Sequence, residues 1–160
     1  MSRIKLVENG PVLEITMDHP PANAIDQQAS RDLAAAFNLL RYRRDLRVAI
    51  VTGGGERMFS AGWDLKAVAA GDTGEDFGGF GFMGLTERFD LNKPVIAAVN
   101  GLAVGGGFEL ALACQIVVAV PEVEFALPEL SRGFIPEAGG LLRVTRRLPR
   151  NVALDLLLTG

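Results

Sequence analysis

The 160-residue chain has a single cysteine, Cys114, and a single histidine, His19. One cysteine excludes an internal disulfide, and one of each leaves no His/Cys set for a zinc site, so both read as structural and no metal is expected. Long basic runs are missing and the net charge is −3, which argues against nucleic acid as a partner. No apolar run reaches the length of a membrane span, and the opening MSRIKLVENG lacks the apolar core of a secretory leader. The expected location is therefore cytoplasmic, with no membrane partner. A disordered composition is also absent: with 49% hydrophobic and 22% charged residues, the chain can bury one core, and a single domain over residues 1–160 is expected.

Residues 4 to 17 alternate around Asn9-Gly10, with Leu13, Ile15 and Met17 on one face, which predicts a hairpin. After Pro20-Pro21 and a short loop at Ala22 to Ala24, Asp26 is a plausible N-cap for a helix to about Arg43. Its apolar stripe is Ala29, Leu33, Ala36, Phe37 and Leu40. Arg47 to Thr52 reads as a buried strand closed by Gly53, Gly54 and Gly55, and a short helix is expected from Asp64. Residues 71 to 84, rich in glycine and acid, read as a mobile surface loop, with helix resuming from Leu85 to Leu91. Strands are expected at Pro94 to Val99, Ile116 to Val120 and Val123 to Ala126, and helix from Gly140 onward. Recurrent strand-strand-helix units predict a layered α/β architecture.

The stretch from Lys93 to Leu112, KPVIAAVNGLAVGGGFELAL, organises the rest. A buried strand and a turn lead through Gly105, Gly106 and Gly107 into the helix opening Phe108-Glu109-Leu110. Glycines let the backbone approach a ligand with no Cβ in the way, and a helix start offers unpaired N–H donors and a partial positive charge. Such a turn suits an oxygen that is becoming negative. Taken alone, Glu109 is either a dipole partner of the helix or a catalyst.

Three motifs do not hold. Gly79, Gly81 and Gly84 satisfy GxGxxG, but no strand precedes them. The Gly53 to Gly55 loop has Met58 where the last glycine of that fingerprint belongs. Phe59-Ser60-Ala61-Gly62 resembles a nucleophile elbow, yet the only histidine lies in a proline-rich loop, so Ser60 reads as a turn or cap residue.

What remains are two glycine-assisted turns, Ala61-Gly62-Trp63-Asp64 and Gly105-Gly106-Gly107, and two carboxylates, Glu109 and Glu129. If the parent strands are neighbours, the turns offer converging N–H groups of the kind that form an oxyanion hole. Paired acids in different environments can divide the work of base and acid, although Glu129 could equally cap the turn after Pro128.

The segments FSAGWDLK, KPVIAAVNG, VGGGFELALA, FALPE and IPEAGG closely resemble the crotonase (enoyl-CoA hydratase/isomerase) superfamily over essentially the whole chain. Within it, SAGWDLKA, DFGGFGFMGLTE and ANAID resemble the carnitinyl-CoA dehydratase branch. The resemblance implies a spiral of ββα units and assembly as trimers or dimers of trimers. It also implies an acyl-CoA substrate, with coenzyme A as part of that substrate and no separate cofactor. The N–H groups of Trp63 and Gly106 then form the oxyanion hole, and Glu109 and Glu129 are the catalytic glutamates, with no division of roles between them. Ala22 and Ala24 fall where the family meets adenine. Ala61, Gly62 and Asp64, in the first turn, are expected to bind substrate, and Lys66 is a candidate for the CoA phosphates or a solvated helix lysine.

Two departures from the usual hydratase pattern bear on substrate: Trp63, the only tryptophan, after the turn glycine, and Glu137 in IPEAGG. An indole and an extra carboxylate suit a quaternary ammonium such as that of carnitine; core packing of Trp63 and helix capping by Glu137 are the alternative. Arg143, Arg146, Arg147 and Arg150 crowd the last helices and read as a solvated basic face or as a face for absent protein. The family continues into a C-terminal helical region beyond Gly160, so the chain is expected to be a fragment or a short form.

Overall fold

A computed structural model describes residues 3–74 and 76–160; Glu75, within the predicted loop, lies outside the described residues. The chain opens with the expected hairpin, β1 (Ile4–Asn9) and β2 (Val12–Met17), antiparallel with Asn9 opposite Val12. Alternation puts Leu13, Ile15 and Met17 fully inside, so register follows from which face must be dry. Helix α1 (Gln27–Tyr42) starts where Asp26 accepts the Ala29 N–H, and its buried stripe contains all five predicted residues. It lies against the sheet through Leu33, Phe37 and Leu40, all fully buried.

From there the chain runs in repeated units. Strands β3 (Val48–Gly53) and β4 (Met58–Ser60) lead to α2 (Leu65–Ala69), and β5 (Val95–Val99) and β6 (Leu102–Val104) lead to α3 (Gly106–Ala113). Strands β7 (Ile116–Ala119) and β8 (Phe125–Ala126) lead to a 3₁₀ turn at Pro128–Arg132. Each unit gives its first strand to a five-stranded sheet ordered β1-β2-β3-β5-β7. It gives its second to a three-stranded sheet ordered β4-β6-β8. All pairings after the hairpin are parallel. This is the expected spiral of ββα units. Helices α4 (Gly140–Arg147) and α5 (Arg150–Thr159) complete the chain, interrupted at Pro149, which has no N–H to continue a helix.

Several expectations fail. No helix forms from Leu85 to Leu91. Instead Phe82–Gly84 makes a buried 3₁₀ turn with Met83 at φ 56°, and side chains take carbonyls that a helix would need. Thr86 Oγ1 donates to Phe82 O and Arg88 Nε to Gly84 O. Only the end of the predicted surface loop, Phe82 to Gly84, is interior; Gly78 and Gly79 are exposed as expected. Strands β4 and β6 lie in segments not predicted to be extended, and the strand expected from Val123 shortens to two residues. The C-terminal arginines do not form one solvated face. Arg143 donates to Thr86 O and Ala138 O, and Arg147 to Cys114 O. Among the described residues no helix is long and apolar enough to cross a membrane.

Candidate active site

Strands β4, β6 and β8 are parallel neighbours, so the loops that follow them leave the small sheet at one edge. Those loops carry Ala61 to Asp64, Gly105 to Gly107, and Leu127 to Glu129, with Glu109 in the first turn of α3. Together they wall a cleft of about 1210 Å³ lined by Ala61, Trp63, Gly105, Gly106, Glu109 and Glu129, among others. The topology thus gathers at one edge what the sequence spreads over nearly seventy residues.

The two turns touch. Gly62 has φ +78°, and a Cβ there would lie 2.6 Å from Gly106 N. Glycine is needed on both counts, conformation and close approach. The Ala61–Asp64 turn is pinned by Ala61 N–H to Ala22 O at 3.0 Å, Ile25 N–H to Gly62 O at 2.8 Å and Asp64 N–H to Ile25 O at 3.0 Å. Ser60 ends β4, and its side chain secures the turn that follows: its hydroxyl donates to Asn23 O at 2.8 Å and accepts the Gly62 N–H at 3.1 Å. The Trp63 and Gly106 N–H groups donate to no partner among the described residues. Gly106 opens α3, where such a donor is left over by helix geometry. Two residues with spare amides thus line one cleft.

Glu109 is 4% exposed. Burial lifts its pKa from 4.5 to about 7, opposed by the Gly140 amide and reinforced by the charge of Glu129; the Ala138 backbone and Arg143 oppose it further. The Gly140 N–H reaches Glu109 Oε1 at 2.8 Å. Gly140 is the first residue of α4, so this carboxylate sits at the positive end of a helix. Glu129 is half-buried, with Oε2 out of water and unpartnered among the described residues, and burial raises its pKa too. A side chain at Gly105 (φ +54°) would come within 2.8 Å of Glu129 Oε1. Both carboxyls thus resist ionisation, one firmly hydrogen-bonded and one not, and Glu109 can carry a proton near neutral pH.

Most of the other predicted site residues line the same cleft: Ala22, Ala24, Asp64, Lys66 and Glu137. Gly62 lies behind the wall, packed on Gly106. The carboxylate of Asp64 is engaged structurally: it caps α2 through the Lys66 and Ala67 N–H groups and lies 3.7 Å from Arg3. Lys66 and Glu137 are exposed. Trp63 packs against the core, stacked on Phe82 (centroids 5.5 Å, 13°) and edge-on to Phe77 (4.9 Å, 83°), with its indole N–H buried and unpartnered. His19, which also lines the cleft, shares a hydrogen bond with Ala24 O at 3.0 Å, and Cys114 is fully buried. Among the described residues no group of three or more His, Cys, Asp or Glu could hold a metal ion.

Sequence reasoning missed Phe82, whose ring lies so close over Gly106 that a Cβ there would overlap it. It also missed the role of Gly139-Gly140, a second glycine-led helix start that grips Glu109. The signal was present, because IPEAGG followed by a helix repeats the device at Gly105 to Gly107.

Residues 7–160 match the family model described as enoyl-CoA hydratase/isomerase. The carnitinyl-CoA dehydratase of Salmonella arizonae is 55% identical over 158 residues, covering 98% of this chain and 60% of the relative. The carnitinyl-CoA dehydratase of Salmonella enteritidis gives the same figures. Among solved structures, a carnitinyl-CoA hydratase from Mycobacterium avium superposes with a TM-score of 0.95 at 40% identity. An enoyl-CoA hydratase from Mycobacterium tuberculosis does so with a TM-score of 0.92 at 42% identity. Each of these covers 100% of this chain, which in turn covers 62% of each of them. The chain spans about three fifths of the length of the relatives it matches.

Proposed function

Because the chain belongs to the enoyl-CoA hydratase/isomerase family, we propose that the cleft adds water reversibly across the α,β double bond of an acyl-CoA thioester. The observation that carries this is that Trp63 and Gly106, whose N–H groups have no partner among the described residues, line one cleft with Glu109 and Glu129, two carboxyls whose pKa burial raises. Hydration moves electrons from the double bond onto the thioester oxygen. The Trp63 and Gly106 N–H groups receive that charge as an oxyanion hole, and losing one such donor typically costs about 2.7–4 kcal/mol of barrier. One glutamate accepts a proton from the water whose oxygen bonds to Cβ, and the other delivers a proton to Cα. Each contributes on the order of 10²–10⁴ in rate. In reverse the pair removes water from a β-hydroxyacyl-CoA. Glu109 commits one oxygen to the Gly140 amide and keeps the other for the reacting proton.

The preferred acyl group in this proposal is carnitinyl, with crotonobetainyl-CoA as the dehydrated partner. Support comes from the similarity to carnitinyl-CoA dehydratases and from an aromatic wall, Trp63, Phe77 and Phe82, that shares the cleft with Glu137. A quaternary ammonium gains about 0.5–2 kcal/mol from such a ring. Lys66 and Arg132, on the same cleft, supply cations for the CoA phosphates. Assembly as a homotrimer or a dimer of trimers belongs to the same reading, and the exposed apolar side chains Val118, Phe134 and Leu142 offer surface to bury in it.

The test follows the absorbance of the conjugated thioester with crotonobetainyl-CoA and a plain fatty enoyl-CoA as substrates. Hydration of both, faster with the betaine, is the expected result. Tight binding without turnover would instead favour an acyl-CoA-binding module. A clear preference for the fatty substrate would favour a general enoyl-CoA hydratase.

A further inference from the structure

Arg143 lies in the first turn of α4, behind the cleft wall. Its Nη1 donates to Ala138 O at 3.1 Å and its Nη2 to Thr86 O at 2.6 Å. Those carbonyls belong to two different segments of the site. Ala138 is two residues before Gly140, whose N–H holds Glu109 at 2.8 Å. Thr86 is tied by its hydroxyl to Phe82 O at 3.0 Å, and the Phe82 ring covers Gly106. Space for the guanidinium exists because residue 139 is glycine, at φ +93°, and a Cβ there would overlap Arg143 Nη1. The guanidinium is half-buried, yet among the described residues it has no carboxylate within salt-bridge reach. Burying a cation against carbonyls alone is unfavourable for folding. The charged and titratable groups it faces are Glu109, Arg147, Cys114 and Glu87, and those facing Glu109 are Glu129 and Arg143 itself.

We propose that Arg143 is a positioning residue: by bridging the Ala138 and Thr86 carbonyls it fixes the grip on the Glu109 carboxylate and the aromatic roof over Gly106 as one unit. This rests on the reading that Glu109 and the Gly106 amide act on the thioester. Its positive charge also favours ionised Glu109, so two consequences of its removal are separable. Loss of charge raises the Glu109 midpoint, and loss of the bridge loosens geometry and lowers turnover.

The experiment compares the wild type with Arg143→Gln and Arg143→Lys. Turnover and KM are measured on crotonobetainyl-CoA. The Glu109 carboxyl is titrated separately by carbon-13 NMR of side-chain-labelled glutamate, its signal assigned by loss in Glu109→Gln. In Arg143→Gln the midpoint is expected to rise, because the guanidinium charge favours the ionised carboxyl. Turnover is expected to fall on the order of tenfold or more, with KM nearly unchanged. Arg143→Lys restores the midpoint but not the turnover, since a single ammonium does not span both carbonyls as a planar fork does. An unchanged midpoint in folded Arg143→Gln, or full turnover in Arg143→Lys, overturns the proposal. Should Arg143→Gln fail to fold, Arg143→Lys decides alone, with reduced turnover at an unchanged midpoint as the supporting outcome. Should the wild type not turn over at all, the proposed function fails while the titration still decides whether Arg143 governs Glu109.

Discussion

Glu109→Gln is expected to abolish turnover and to make the protein more stable, and the second effect can be worked from the structure. Glu109 is 4% exposed, and burial raises its pKa from 4.5 to about 7. A carboxyl whose folded value lies above its unfolded value favours folding in the protonated form. Its contribution is fully present below pH 4.5 and is lost as the pH rises through about 7. At about 1.4 kcal/mol per pH unit, the wild type forfeits up to about 3 kcal/mol by about pH 8. Glutamine keeps a carbonyl oxygen to accept the Gly140 N–H and carries no charge, so the variant escapes that loss. Urea unfolding followed by circular dichroism between about pH 4 and pH 8 measures the difference. It is expected to be near zero at the acid end and to grow to at most about 3 kcal/mol in favour of the variant, at equal m-value. A difference independent of pH, or a variant less stable at about pH 8, would refute the claim that the fold holds this carboxyl against its preference for charge.

Three further outcomes follow from the same geometry. Wild-type hydration is expected to carry a limb near pH 7 from the Glu109 carboxyl, measured as initial rates across pH; a profile flat through that region would contradict the assignment. Gly62→Ala forces a side chain at φ +78° against Gly106 N, which is expected to lower stability by about 1–2 kcal/mol and turnover on the order of a hundredfold, read by unfolding and kinetics. Trp63→Phe and Glu137→Gln are each expected to weaken use of carnitinyl-CoA by about 2- to 30-fold relative to a plain 3-hydroxyacyl-CoA; equal losses on both substrates would remove the cation-recognition idea and leave Trp63 as packing.

Where a single segment carries its own physical instruction, the sequence was readable. The β1–β2 hairpin is announced by alternation around Asn9-Gly10, and α1 by Asp26 and a stripe that must be buried. The glycines at 105 to 107 announce α3, because few other arrangements use three in succession before a helix. Legibility fails where structure depends on distant partners. Strands β4 and β6 are three residues each, too short for periodicity, and exist because each finds a parallel neighbour. The stretch after Leu85 has helical composition, but Thr86 and Arg88 spend their side chains on backbone carbonyls and the chain stays irregular. Gly139-Gly140 and Arg143 could be seen as a helix start and a surface cation, but nothing local ties either to a glutamate thirty residues earlier. The candidate site was legible as types of residue, two amide turns and two acids; that the turns lie in contact required the order of the small sheet.

The central claim is that the Trp63 and Gly106 amides meet at one thioester oxygen. An unreactive saturated acyl-CoA bound to the protein, with its thioester carbonyl isotopically labelled and read by difference infrared spectroscopy, tests it without relying on turnover. Two donors polarise that bond, so the account predicts a carbonyl band at lower frequency than in water for the wild type, returning toward the solution value in Gly62→Ala. A band that does not move on binding, or that moves equally in both proteins, would contradict it.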